Sequence, residues 1–258
     1  MTDAIKKINK KLLSVYLIIA FFAFWEIAPK IGIGNPAFFP PFSKVLGSAN
    51  QITYSEIIIN ILTSLKRILI GYSLAIIFGL PFGFLLGGAF PRIEKFFKSL
   101  FVFLSNVPPF ILSPIIIIIY GIGEGAINFV ILWAAFWPVM FTTIAGVRQV
   151  NPLYIRGALS MGANKVTIFT KVILPGALSS IITGMKTGLT MSFIMLIGAE
   201  TLGSHAGLGF MIYNSQLMGQ VPQIFFSALL ILALGLLISY LFDWIEKKAI
   251  VWKEPTAD

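Results

Sequence analysis

The chain has 258 residues, 57% of them hydrophobic, with 24 Phe, 19 Lys or Arg and 10 Asp or Glu. Charged residues make up 11%, against about 25% in soluble domains, which is too few to coat a water-soluble globule. The absence of Cys excludes disulfides and thiolate chemistry, a single His leaves little material for a metal centre or an acid/base pair, and the net charge of +9 sits between apolar runs, not on one solvated face as in a nucleic-acid reader.

A hydrocarbon core about 30 Å thick takes about 20 apolar residues per helix, so the chain has room for roughly five to seven spans in one membrane domain. The first run, Leu12 to Ala28, follows Lys6, Lys7, Lys10 and Lys11 and closes at Pro29. It resembles a signal peptide in its basic and apolar regions, but no small-x-small cleavage site follows, so a retained signal-anchor helix is expected. Ile33 to Asn50 holds Pro36, Pro40 and Pro41, is too polar and too broken to span, and belongs at the outer surface.

The second run extends from Ile57 to Phe90, interrupted by Pro81 and ended by Pro91. It exceeds one membrane thickness, so it starts in the outer interface, where Lys66 and Arg67 extend their heads to water. Span three, Phe96 to Tyr120, contains Pro108, Pro109 and Pro114, which remove backbone donors and bend or break the helix. Such a break is tolerated only where protein or a water-lined cavity satisfies the freed groups. Gly121, Gly123 and Gly125 make a turn into span four, Ala126 to Val147. Span five covers Val172 to Ala199 and span six Ile224 to Ile245; Glu200 to Val221 between them, with four Gly and the only His, reads as a loop with a short re-entrant or surface helix.

Six spans put both termini on one side. Basic residues cluster before span one, between spans two and three (Arg92, Lys95, Lys98), between four and five (Arg148, Arg156, Lys165, Lys171) and after six (Lys247, Lys248, Lys253), fourteen in all against Lys30 and Lys44 on the other face. The positive-inside rule then places both termini in the cytoplasm. Residues 1–55 form the anchor and outer segment, 56–248 the transmembrane domain with a surface helix at 151–163, and 249–258 a tail.

That surface helix is legible from its ends. Asn151 is a good N-cap, Pro152 suits the first helical position where no amide donor is needed, and Gly162 supplies the left-handed residue that ends a helix. About ten residues span about 15 Å, half a membrane, so the helix lies across the cytoplasmic face. Its apolar residues Leu153, Tyr154, Ile155, Ala158, Leu159 and Met161 cover more than one side, and Gly157 with Ala158 offers a patch for close backbone approach. Docking against a second protein and resting in the headgroups both fit this pattern. Asn164 caps a second helix that passes through Val172, Ile173, Leu174 and Pro175 into span five.

The stretch Arg156-Gly157-Ala158-Leu159-Ser160-Met161-Gly162, nine residues, then Val172-Ile173-Leu174-Pro175 resembles the EAA loop of ABC importer permeases: Glu-Ala-Ala, three residues, Gly, nine residues, Ile, one residue, Leu-Pro. Phe39-Pro40-Pro41-Phe42-Ser43-Lys44-Val45-Leu46, Asn106-Val107-Pro108-Pro109, Ala145-Gly146-Val147-Arg148, Ala199-Glu200 and Gly207-Leu208-Gly209 are similar to segments of the nitrate, sulfonate and taurine branch of that family. The resemblance covers roughly residues 36 to 248. It implies a type I, all-α permease fold in the bacterial plasma (inner) membrane and a homodimer, or a pair of similar subunits. Two ATP-binding subunits would lie below, carrying ATP and Mg, and an extracytoplasmic substrate-binding protein above. It also implies that the EAA helix sits in a groove of the ATPase and transmits closure of the nucleotide dimer. The coupling set by position is Tyr154, Arg156, Gly157, Ala158, Ser160, Met161, Gly162, Ala163, Leu174 and Pro175. Arg156 stands where the pattern has Glu, so the family's ion pair there does not carry over.

Ionisable residues within spans are costly and need a partner or a pathway. Lys186, with Thr183, Thr187 and Thr190 at helical spacing, either lines a pore or faces another helix and bonds to backbone carbonyls. Glu200 and His205 either help form an outer gate or sit in an interfacial loop, and Glu26 and Asp243 read as interface residues. Met185, Met191 and Met195 read as packing. Gly79, Gly83, Gly87, Gly88, Gly184 and Gly188 form small-xxx-small spacings for close helix packing, within one subunit or between two copies.

No Gly, four residues, Gly-Lys-Ser/Thr pattern occurs, so the chain itself is not an enzyme and ATP belongs to a partner. The resulting reading is an alternating-access permease for a small anionic solute of the sulfonate, taurine or nitrate type. Carriers of thiamine precursors, riboflavin or other small organic molecules are the alternative within the family. An ion-gradient-driven transporter would want paired broken helices in two related halves, and an intramembrane enzyme would want more His, Asp and Glu.

Overall fold

The computed structural model describes residues 16–35 and 37–249, so Lys6 to Lys11, the start of the first apolar run, Pro36 and the tail from Ile250 lie outside the described residues. Every regular element among the described residues is helical: α1 (Tyr16–Ile27), α2 (Phe42–Gly47) with a 3-10 turn (Ser48–Gln51), α3 (Tyr54–Ala89), α4 (Pro91–Ser105), α5 (Pro109–Tyr120), α6 (Glu124–Gln149), α7 (Pro152–Ser160), α8 (Lys165–Gly203), α9 (Leu208–Leu217) and α10 (Val221–Ala249). The four helices α3, α6, α8 and α10 are long and apolar enough to cross a membrane. The pair α4 and α5, bent by 87° at its break, makes a fifth if the two parts count as one span. Of the first expected span only α1 is described, and it is too short to cross alone.

The bend falls where Pro108 and Pro109 remove consecutive donors, as expected. The broken span starts earlier than Phe96, because Pro91 occupies the first turn of α4, where its missing N–H costs nothing. Pro81 does not interrupt α3, which continues past it into a π-helical turn, Leu85–Ala89. In α8 a second π turn, Phe169–Ile173, lies immediately before Leu174 and Pro175. A proline N-terminal to the main body of that helix donates no bond to the preceding turn, and the wider turn absorbs the mismatch.

α6 is the hub, with 61% of its apolar window buried against 33% for α3, 22% for α8 and 17% for α10. Glycines set the spacing around it: Gly79, Gly83 and Gly87 of α3 lie against Val139, Thr143 and Ile144 of α6, while Gly184 and Gly188 of α8 lie against Thr142 and Ala135. These small-residue seams are therefore contacts within the chain. A side chain at Gly184 meets Thr142 and the Pro138 carbonyl, so Gly184→Val is expected to pry α6 from α8 at a cost of about 1–3 kcal/mol. Thermal unfolding of the detergent-solubilised chain checks this, and an unchanged melting temperature counts against that packing.

The segment before α3 folds back onto α1. Trp25 Nε1 donates to the Pro40 carbonyl (3.1 Å), and the Glu26 carboxylate accepts from the Ser43 amide (2.8 Å) and hydroxyl (2.9 Å) and pairs with Lys30. Trp25, Phe22, Phe39, Phe42 and Phe225 stack into one aromatic cluster that ties α1 and α2 to the start of α10. Glu26 thus holds the first turn of α2, a more specific task than an interface position.

Antiparallel packing of α6 and α10 on α8 gathers Arg148, α7, the start of α8 and Lys247 with Lys248 at one end, here the basic end. There the Arg148 guanidinium bonds the buried Glu94 carboxylate at 2.7 Å and fastens α4 to the end of α6. At the opposite end lie the start of α3, the Gly121 to Gly123 turn and α9.

Candidate functional site

At the basic end the local signals for α7 are realised. The Asn151 side chain accepts from the Leu153 amide (2.9 Å), Pro152 opens the helix, and Asn164 caps α8 by accepting from the Thr167 amide (2.8 Å). Gly162 has φ +78°, its amide donates to the Leu159 carbonyl, and the Ala163 amide reaches back to Ala158. That paired closure needs a left-handed residue, which glycine adopts without a Cβ penalty. Between these stops Leu153, Tyr154, Leu159 and Met161 are exposed, Met161 by 84%. Arg156, Gly157 and Ser160 are also exposed, and the Ser160 hydroxyl donates to the Arg156 carbonyl. Only Ala158 is buried. Leu174 and Pro175 belong to α8 itself, so α7 is joined through a capped turn to the longest helix of the chain.

Along α8, Thr183, Lys186, Thr187 and Thr190 share one exposed stripe. Each threonine hydroxyl donates to the carbonyl four residues earlier in its own helix: Ser179, Thr183 and Lys186 respectively. Lys186 does not turn to carbonyls but bonds Asp243 of α10 at 2.5 Å. Asp243 is thereby Lys186's partner within the bundle.

The opposite end holds an ionic network that sequence reasoning missed. Arg67 is 3% exposed and does not extend to water; its guanidinium donates to Glu200 (2.8 Å), to Glu124 (2.6 and 3.1 Å) and to the Ala206 carbonyl (2.6 Å). Glu200, expected in a loop, lies fully buried in the last turns of α8. Its carboxylate also accepts from the Ser64 hydroxyl and the Gly209 amide, while Leu208 N–H bonds Ser64 and Gly207 N–H bonds Asn60. Gly207 has φ +120°, and a Cβ there would collide with the Glu200 carboxylate. The network therefore joins α3, α6 and α8 to the start of α9, with every charge at depth paired. One sequence signal for it exists: Asn60, Ser64 and Arg67 recur at i, i+4 and i+7 inside an apolar run, the spacing of one helix face. His205 is exposed in the short link after α8 and does not join Glu200 in this network.

Residues 79–251 match the family described as the binding-protein-dependent transport system inner membrane component. The chain is 30% identical to a putative ABC transporter permease protein of Methanocaldococcus jannaschii, over 96% of this chain and 95% of that one. It is 31% identical to the taurine transport system permease protein TauC of Escherichia coli, over 79% and 76% of the two chains. Identity is 32% to the bicarbonate transport system permease protein CmpB of Synechococcus elongatus, over 72% and 67%. Its fold is similar to a chain of the inward-facing MetNI methionine ABC transporter, with a TM-score of 0.65 at 20% identity, covering 74% of this chain and 95% of that one.

Proposed function

The chain belongs to the family of binding-protein-dependent transport system inner membrane components and is an ABC importer permease, and from that premise we propose that it moves a small anion across the plasma (inner) membrane, driven by a separate ATPase. The observation that carries the coupling is α7: a helix capped at both ends, with Leu153, Tyr154, Leu159 and Met161 exposed, on a chain that has no phosphate-binding loop of its own. An ATPase groove would cover this apolar surface, and ATP with Mg would be held there and not here. The basic end faces the cytoplasm in this reading, since Lys and Arg collect on that side.

Two copies would form the pathway. Two half-exposed charges, Lys186 and Asp243, do not suit lipid even when paired, so this face of α8 needs water or a second copy. ATP binding would draw the two α7 helices together and open the pathway outward, toward a binding protein docked at the end that holds Glu200 and His205. The anion is supported by Lys186 on that face and by relatives named for taurine, bicarbonate and aliphatic sulfonates.

Proteoliposomes holding the permease, its ATPase and its binding protein test this reading. Uptake of labelled taurine or bicarbonate should require ATP and vanish when the ATPase is left out. Uptake by the permease alone under an ion gradient would replace this reading with a secondary transporter.

A further inference from the structure

Among the ion pairs that cross between helices, Arg67–Glu200 and Lys186–Asp243 differ in kind. The Arg67 and Glu200 side chains are 4% and 0% exposed, closed in by four further hydrogen-bonding groups. Lys186 and Asp243 are 48% and 43% exposed, and the bond between them ties α8 to α10, with the Glu246 carboxylate one turn on also acting on Lys186. An open pair of that sort gains little from its own attraction and exchanges readily for another charge.

Beside it runs a groove of 320 Å³ between α8 and α10. Thr190, one turn from Lys186, and Ser239, one turn from Asp243, lie in its wall. The rest of that wall is apolar, including Phe193, Ile194, Ile231 and Leu232. A mostly apolar cleft of about 300 Å³ or more, with a few polar groups at one place, is the usual form of a small-molecule site.

We propose that this groove is a transit site for an organic anion with a short apolar tail, whose sulfonate or carboxylate replaces Asp243 on Lys186 while its tail lies along Phe193 and Leu236 of the wall. This rests on the anion-permease reading above and adds a place and a shape to it. Asp243 is then a built-in competitor: it neutralises Lys186 when the pathway is empty and is displaced by the arriving charge. A lipid acyl chain in the groove would match its walls but would leave the hydroxyls and the ion pair at its end without a role, and an inorganic anion would use the ion pair but not the walls.

The test uses the complete permease and ATPase complex in nanodiscs, with labelled butanesulfonate and labelled methanesulfonate as probes. Butanesulfonate should bind the wild type more tightly than methanesulfonate. Lys186→Met should weaken both at least tenfold, Lys186→Arg should retain both, and Asp243→Asn should tighten both by removing the competitor. Leu236→Trp, which narrows the groove from an exposed position, should weaken butanesulfonate at least fivefold and spare methanesulfonate. Co-elution of each variant with the ATPase excludes misassembly. No binding to the wild type, equal binding by Lys186→Met, or lipid in the groove that butanesulfonate does not displace overturns the site. Proteoliposomes separate the two levels: ATP-driven uptake that survives Lys186→Met and Leu236→Trp overturns only the groove, whereas no ATP-driven uptake of taurine, bicarbonate or butanesulfonate by the wild type overturns the anion-permease reading itself.

Discussion

Gly157→Trp is expected to leave the chain folded and inserted while cutting ATP-driven uptake at least tenfold. Gly157 sits mid-helix on the exposed side of α7, and a Cβ there meets nothing within 4 Å. The added ring therefore extends into solvent in the isolated permease and obstructs only a partner that must approach the Gly157 and Ala158 patch. Hydrolysis by the ATPase should continue without transport, or the ATPase should fail to co-purify. Gly162 is a poorer test of the same idea. Its surroundings are equally open, but φ +78° makes any side chain there strain the closing turn by about 1–2 kcal/mol. The measurement is uptake and ATP hydrolysis side by side in proteoliposomes, with melting temperature as the control. A Gly157→Trp permease that transports at the wild-type rate would show that nothing grips α7, and one that unfolds would make α7 a structural element.

Arg67→Met should be the most destabilising single change at the opposite end. It leaves the fully buried Glu200 carboxyl short of its cation, and breaking a buried pair from one side costs about 3–5 kcal/mol. Little folded protein should be recovered in detergent. Glu124→Gln should be far milder, because the Glu124 side chain is 52% exposed and water can take up much of what the pair supplies. The paired change Arg67→Met with Glu200→Gln should recover part of the loss, since no unpaired charge then remains, though the Gly209 amide keeps a weaker acceptor. Thermal unfolding of the four proteins checks the order, and equal stability of Arg67→Met and wild type would remove the network from the account of the fold.

The parts of this protein that sequence reveals are those set by neighbours along the chain. Asn151, Pro152, Gly162 and Asn164 act within three or four residues of themselves, and each caps or closes the helix end expected of it. Pro108 and Pro109 break span three for an equally local reason. Arg67 was misjudged because a cation in an apolar run has two cheap solutions, reaching the interface or meeting an acid, and the choice depends on Glu124 and Glu200, 57 and 133 residues away. Lys186 posed the same question, and its partner Asp243 is likewise on another helix. The small-residue spacings announced close packing but not the partner, since only the folded chain shows that α6 receives them from both sides.

α8 is a single helix of 39 residues, about 58 Å from end to end. One tip is hitched to α7 through the Asn164 cap, and the other is moored by Glu200 among Arg67, Ser64 and Gly209. Were such a beam to pivot by about 5° at its midpoint, its tips would swing about 2.5 Å in opposite senses, so that widening at one membrane surface would be narrowing at the other.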